Sequence, residues 1–167
     1  MGSIALIVGE SLAPNLVQFL DSLEKLQTDH EFTVVGTQID ISAIPSEFDY
    51  HDVPGTTADR GITSMLATYR RTVSYLRTDR PDAVWQITSP KFHAIPVIAA
   101  ARRAEVPVAT RLPGDMFDEY RKASNRIDAS KLFALNNLGL RAVRFSSLVV
   151  TLSESNRECL LHRGIQD

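Results

Sequence analysis

The sequence holds one cysteine and one tryptophan among its 167 residues, and what is scarce excludes several function classes. Cys159 alone cannot close an internal disulfide, so the fold must stand on its core and a reducing compartment is expected. With that one cysteine, and with His30, His51, His93 and His162 scattered along the chain, no zinc spacing exists. No apolar run approaches the ~20 residues of a spanning helix. The first run, Ile4 to Val8, is too short for a signal-peptide core and has no basic flank. There is no Asp-x-Asp pair to clamp a metal-bound nucleotide. The loop after the first apolar run has a single glycine, so neither a dinucleotide fingerprint nor a lysine-bearing phosphate loop is present. No Gly-x-Ser-x-Gly elbow occurs; Gly9-Glu10-Ser11-Leu12-Ala13 comes nearest and ends in alanine. These absences predict a cytoplasmic, soluble chain that needs neither metal nor organic cofactor.

What remains is an ordinary globular composition, 44% hydrophobic and 23% charged, at the length of one domain. The net charge of −2 hides an asymmetry. Residues 1–60 carry ten acids against Lys25 and Arg60, and residues 61–167 carry ten acids against sixteen bases. The two parts are therefore −8 and +6, which predicts an anionic ligand or partner for the basic part.

Periodicity orders the chain. Ile4-Ala5-Leu6-Ile7-Val8 and Phe32-Thr33-Val34-Val35 read as strands buried on both faces, each closed by a glycine. Between them Leu16, Phe19, Leu20, Leu23 and Leu26 recur at helical spacing. Ile39 to Ile44 and Tyr50 to Val53 are candidate short strands before Pro54-Gly55. Ile62, Met65, Leu66, Tyr69, Val73 and Leu76 mark an amphipathic helix with Arg70, Arg71 and Arg77 on its wet face. Ala83 to Ile87, Val106 to Thr110 and Leu148 to Leu152 are further strands. Ser89-Pro90 is a helix-start signature, Pro96 kinks or delays the helix that follows, and the alanines at 99–101 allow close helix–sheet packing. A helix is expected from about Ser130 to Phe145, and a last one capped by Ser153 and closed at Arg163-Gly164. Apolar strands alternating with helices predict a three-layer, Rossmann-like open α/β sheet, mostly parallel, over residues 1–167.

In such a sheet ligands bind beyond the carboxyl ends of the strands. The segments there are Gly9 to Pro14, Thr88 to Lys91, Pro113 to Asp115, and Ser153-Glu154. Helix starts in the same place favour a phosphate or sugar hydroxyl. The densest polar stretch runs from Thr110 to Arg121. A Pro-Gly turn with acids favoured by a helix dipole accounts for Asp118 and in part for Glu119. It accounts less well for Arg111 and Asp115 flanking the turn, so these two are candidate ligand contacts. Cys159 has no nearby base in sequence and reads as a packing residue.

These signals together resemble the N-terminal half of a GT-B retaining glycosyltransferase, the group that includes glycogen synthase and many mannosyl- and glucosyltransferases. The resemblance rests on Arg80-Pro81-Asp82-Ala83-Val84-Trp85, on Pro107 to Asp115, and on Leu148 to Gly164 with its Ser153-Glu154-Ser155 and Leu160-Leu161-His162-Arg163-Gly164. It implies one half of a two-domain, metal-independent enzyme, the acceptor side, inactive without a donor-binding half that holds the nucleotide sugar. It implies that Gly9, Glu10, Ser11, Ser89, Arg111, Gly114, Asp115 and Glu119 bind acceptor or donor phosphate. Pro113 stands where many members carry a histidine, so that residue's role is not carried over. Half of a nucleotide-sugar epimerase and a stand-alone flavodoxin-like binding or signalling module are the alternatives. Arg121, Lys122, Arg126, Lys131, Arg141 and Arg144 surround a helix containing Leu132, Phe133, Leu135, Leu138, Leu140 and Phe145. One reading is a packed helix with solvated bases; another is peripheral docking on an anionic membrane at its cytoplasmic face, where lipid-linked acceptors would be met; a third is attraction of an acceptor phosphate. Exposed aromatics do not interleave with these bases, so nucleic acid is not expected.

Overall fold

Strand β1 (Ser3–Ile7) sends Ala5 and Ile7 to one side and Leu6 to the other, and each side closes over its own apolar cluster. In the computed structural model the described residues are 2–8, 14–26, 29–36, 44–52, 62–87, 94–112 and 119–165, with backbone alone for 14–16 and 119. The other strands are β2 (Glu31–Gly36), β3 (Asp49–Asp52), β4 (Ala83–Gln86), β5 (Val108–Leu112) and β6 (Leu148–Thr151). The helices are α1 (Pro14–Lys25), α2 (Ile62–Asp79), α3 (Ile95–Ala104), α4 (Arg126–Val143) and α5 (Glu154–His162), with a short 3-10 turn at Glu119–Lys122. All strand pairs are parallel, in the order β3-β2-β1-β4-β5-β6. The expected Rossmann-like α/β sheet is therefore present.

The order explains the layers. Right-handed crossovers toward β3 and toward β6 must place their helices on opposite faces. Accordingly α1 covers one face through Phe19, Leu20 and Leu23, against Leu6, Val34 and Trp85. Helices α2 and α3 cover the other through Tyr75, Leu76, Val97, Ile98, Ala100 and Ala101, joined by Val143 of α4 and Leu160 of α5. The central strands must therefore be apolar on both faces, which is why they read as unbroken runs. The edge strand β3, Asp-Tyr-His-Asp, is mostly exposed and charged, a composition that discourages edge pairing.

Several boundaries differ from expectation, each for a local reason. Strand β5 starts at Val108 because Pro107 has no N–H; its carbonyl still accepts from the Val84 amide at 2.8 Å. The strand then extends through Arg111 and Leu112. Helix α4 starts four residues before Ser130, because Asn125 caps it, accepting from the Asp128 amide at 2.9 Å and donating to its carboxylate at 2.7 Å. In α2 the expected stripe holds only from Tyr69 onward, since Ile62 is 84% and Leu66 46% exposed. An 18-residue helix is about 27 Å long and a five-residue strand about 17 Å, so the first turns of α2 overshoot the sheet. Of the two candidate short strands there, Tyr50 to Val53 corresponds to β3 through Asp52. The other, Ile39 to Ile44, lies almost wholly outside the described residues, as does the Ser89-Pro90 helix start. Pro96 sits in the first turn of α3, where its missing N–H costs nothing.

Both α3 and α5 end in the same hydrogen-bonded reversal. In α5 the Ile165 amide donates to Leu160 and the Gly164 amide to Leu161, with Gly164 at φ +74° and Ile165 packed beside Leu160. In α3 the Val106 amide donates to Ala101 and the Glu105 amide to Arg102, but the left-handed position, φ +60°, is held by Glu105. A side chain there carries a penalty of about 1 kcal/mol. Glu105→Gly should therefore stabilise the chain by ~0.5–1 kcal/mol, read as a higher denaturant midpoint at unchanged m. A lower midpoint would show that the Glu105 side chain makes a compensating contact.

Candidate functional site

A parallel sheet whose strand order reverses leaves a crevice where its connections diverge. Here that point lies between β1, which continues to β2 through α1, and β4, which continues to β5 through α3. Its floor is apolar. Val8 and Ile87, the residues after β1 and β4, are 5% and 7% exposed. The Val8 amide donates to Val35 at 3.0 Å and the Ile87 amide to Ile7 at 3.2 Å, so the parallel ladder continues to the rim. The segments 9–13 and 88–93 leave directly from these two neighbouring residues.

Six of the eight candidate residues, Gly9, Glu10, Ser11, Ser89, Gly114 and Asp115, lie outside the described residues. They follow β1, β4 and β5 in sequence. Glu119 opens the 3-10 turn after β5, with its backbone alone described.

Arg111 can be placed fully. Register pairs it with Val150 of β6, and it is half-buried on the α1 side of β5. Its guanidinium carbon lies 5.7 Å from the centre of the Phe19 ring. Phe19 in turn meets Trp85 edge-on, with ring centres 5.0 Å apart and planes at 89°. The cation thus lies over one ring of an aromatic pair, and among the described residues no carboxylate pairs with it. The Trp85 indole N–H is buried, with no hydrogen-bond partner among the described residues. Phe19 and Trp85 were read from sequence only as a core residue and a strand residue. The signal available was alternation: Trp85 and Arg111 sit at positions of β4 and β5 that face the same side.

The opposite face of these strands carries buried polar groups that sequence reasoning also missed. Gln86 and Thr110 are register partners and both are fully buried. The Thr110 hydroxyl shares a 2.7 Å hydrogen bond with that of Ser146, which ties β5 to the segment leading into β6.

The last candidate segment serves structure. The Ser153 hydroxyl accepts from the Asn156 amide at 3.3 Å, capping α5, and the Glu154 carboxylate pairs with Arg157 at 2.6 Å. Cys159 is half-buried, with the Arg163 Nε 3.5 Å from its Sγ. Among the described residues no three His, Cys, Asp or Glu side chains gather within metal-ligating range, and no helix is long and apolar enough to cross a membrane. A cavity of about 510 Å³ runs along the outer edge of β6 between α4 and α5, away from the switch point.

No family model and no curated sequence matches this chain. Solved structures do. The UDP-N-acetylglucosamine 2-epimerase of Rickettsia bellii superposes with a TM-score of 0.67 at 18% identity, over 99% of this chain and 43% of that one. The UDP-GlcNAc 2-epimerase of Neisseria meningitidis, bound to UDP-GlcNAc, gives 0.68 at 14% identity, over 98% and 44%. A UGT transferase of Siraitia grosvenorii in complex with UDP gives 0.64 at 11% identity, over 96% and 47%. The chain spans less than half the length of each. At these identities the likeness establishes fold alone: the chain has the fold of one half of a GT-B-like molecule, with no preference for the glycogen synthase or mannosyltransferase type.

Proposed function

We propose that this chain is the acceptor-side half of a GT-B enzyme acting on nucleotide sugars. The observation that carries the reading is the switch point between β1 and β4, with its apolar floor of Val8 and Ile87 at the place where such sheets bind ligands. Gly9, Glu10 and Ser11 would bind acceptor or donor phosphate after β1, and Ser89 after β4. Arg111, Gly114, Asp115 and Glu119 would line the same cleft from β5. Arg111 is suited to this role because its charge is half-buried, braced on Phe19 and without a carboxylate among the described residues, so an anionic group would complete it.

In this reading a second Rossmann-like half, on the same polypeptide or a separate subunit, holds the nucleotide sugar, and hexosyl transfer takes place between the two. The acceptor is a sugar, free or lipid-linked. A second reading, half of a nucleotide-sugar epimerase, is favoured by the epimerases among the structural likenesses.

The chain combined with its donor-binding half should consume UDP-glucose or UDP-N-acetylglucosamine, and by itself it should consume neither. Acceptor-dependent release of UDP supports the transferase, and acceptor-independent formation of a C2 epimer, seen by NMR, supports the epimerase. Consumption of neither donor by the combined halves would sink both. Arg111→Ala should lower kcat/KM by about 10- to 100-fold, the worth of a charge-assisted contact, with little change in folding stability.

A further inference from the structure

We infer that the 3-10 turn at Glu119–Lys122 and the outer face of α4 form a docking surface for an anionic phospholipid bilayer. Helix α4 buries one stripe, Asn136, Gly139 and Val143, against the rest of the molecule. On the opposite side, spaced by three or four residues, lie Ile127, Lys131, Ala134, Leu138 and Arg141, all exposed. Ile127 is 69% exposed, Phe133 51% and Leu138 47%, a density of solvent-facing apolar side chains that a helix packed only for stability does not need. Phe133 is held by an edge-on contact with Tyr120 of the 3-10 turn, ring centres 5.2 Å apart, so the two elements form one surface.

The charge of that surface selects the occupant. Residues 119–145, which take in the whole turn and α4, contain six bases and two acids, Glu119 and Asp128, and the Asp128 carboxylate already accepts from the Asn125 side chain. Two neighbours drop out of the patch. Arg144 donates to the Arg163 carbonyl at 2.7 Å, and Phe145 lies under the Arg102 guanidinium at 3.9 Å. Arg121 is engaged with Tyr120, its Nε 3.4 Å from the hydroxyl, and Lys122, Arg126, Lys131 and Arg141 are exposed cations around the apolar centre. An apolar ridge rimmed by lysine and arginine matches the acyl–headgroup boundary of an anionic leaflet, where the stems lie along apolar surface and the charges reach phosphate. The described acids of residues 1–60 lie the other way: Asp21 and Glu24 on α1, and Asp29, Glu31, Glu47, Asp49 and Asp52 on or beside β2 and β3, toward the far edge of the sheet from α4. The 3-10 turn and the start of α4 follow the carboxyl end of β5, so a docked membrane would lie on the crevice side of the fold. A membrane on that side would present a lipid-linked acceptor to the crevice, and only this consequence rests on the proposed function.

The test is co-sedimentation of the chain with vesicles of phosphatidylcholine alone and of phosphatidylcholine mixed with phosphatidylglycerol, at low and high salt. Binding is expected to the mixed vesicles only, and to weaken with salt. Arg126→Gln with Lys131→Gln should weaken it roughly 25-fold, about fivefold per base. Ile127→Ser should weaken it at unchanged charge. Arg70→Gln with Arg77→Gln, on α2, should leave it unchanged. Equal binding to neutral vesicles, or an equal loss from the α2 pair, would overturn the assignment. So would a dimer broken by the α4 substitutions in a chain that does not pellet with vesicles, which would make the face a contact between two copies. None of these readouts involves a sugar nucleotide, so docking and the proposed function can fail separately.

Discussion

Replacing Leu6 by alanine should destabilise the chain by about 3 kcal/mol, within the ~2–5 kcal/mol measured for buried leucines. Leu6 is fully buried in the central strand, with Val34 of β2 and Trp85 of β4 as its register neighbours. Helix α1 closes over it through Leu20 and Leu23. Parallel strands on both sides cannot collapse into the void, so the cost includes the cavity as well as the lost transfer energy. For a chain of this length each kcal/mol moves Tm by roughly 2–4 °C, so a fall of about 6–12 °C is expected by calorimetry. Leu66→Ala, at a 46% exposed position of α2, should stay within about 0.5 kcal/mol of the parent. A Leu6→Ala chain that melts with the parent would mean that the α1 layer repacks freely, contrary to the described core.

Stability should also fall between about pH 10 and pH 12, because of Tyr75. Burial pushes its hydroxyl up to about 12; the negative charge of Asp79 adds to this, and a hydrogen bond with Thr33 partly offsets it. The residue is 6% exposed, its ring 4.9 Å from that of His51. A pKa raised in the folded state means that the neutral form is favoured there. Below pH 10 both folded and unfolded chains hold the proton, and no penalty arises. Above it the unfolded chain releases the proton while the folded chain retains it, so the unfolded state gains until the folded pKa is passed. The loss is on the order of 2 kcal/mol. Lysines titrate in the same range, so the measurement is a difference: urea midpoints of the parent and of Tyr75→Phe, followed from pH 9 to pH 12. The parent should lose stability relative to the variant across that window. Parallel profiles would show that Tyr75 ionises in the folded chain as it does in water.

The sheet was legible because burial on both faces leaves a pattern that survives without coordinates. Ile4 to Val8, Val34-Val35 and Ala83 to Ile87 are too short for helices and lack the alternation of a half-exposed strand, so central parallel strands were the remaining solution. Caps were legible where the signal was complete, as at Ser153 and Gly164, and missed where Asn125 gave it through an aspartate. Stripe length was misjudged in α2, because periodicity reports which face is apolar and says nothing about where the sheet beneath it stops. Leu138 and Phe133 fit a packed helix by composition, yet the stripe that α4 buries runs through Asn136 and Gly139.

Of the candidate site, sequence located the strand ends and named Arg111. It could not place the Arg111 charge over Phe19, since the two residues are brought together only by helix α1 crossing the sheet. Composition and local patterning determined the α/β class, the order of the elements, the lack of a disulfide within these residues and the split of charge along the chain. All of these depend on interactions between near neighbours or on simple counts. The tertiary structure alone decided the β3-β2-β1-β4-β5-β6 order, and with it the switch point between β1 and β4 and the placing of acidic and basic elements toward opposite edges. Strand order is a matter of which distant segments pair, and parallel strands with apolar faces are chemically alike as partners. The choice among them is made by crossover handedness and by how the helices fill each face, and both are properties of the whole chain.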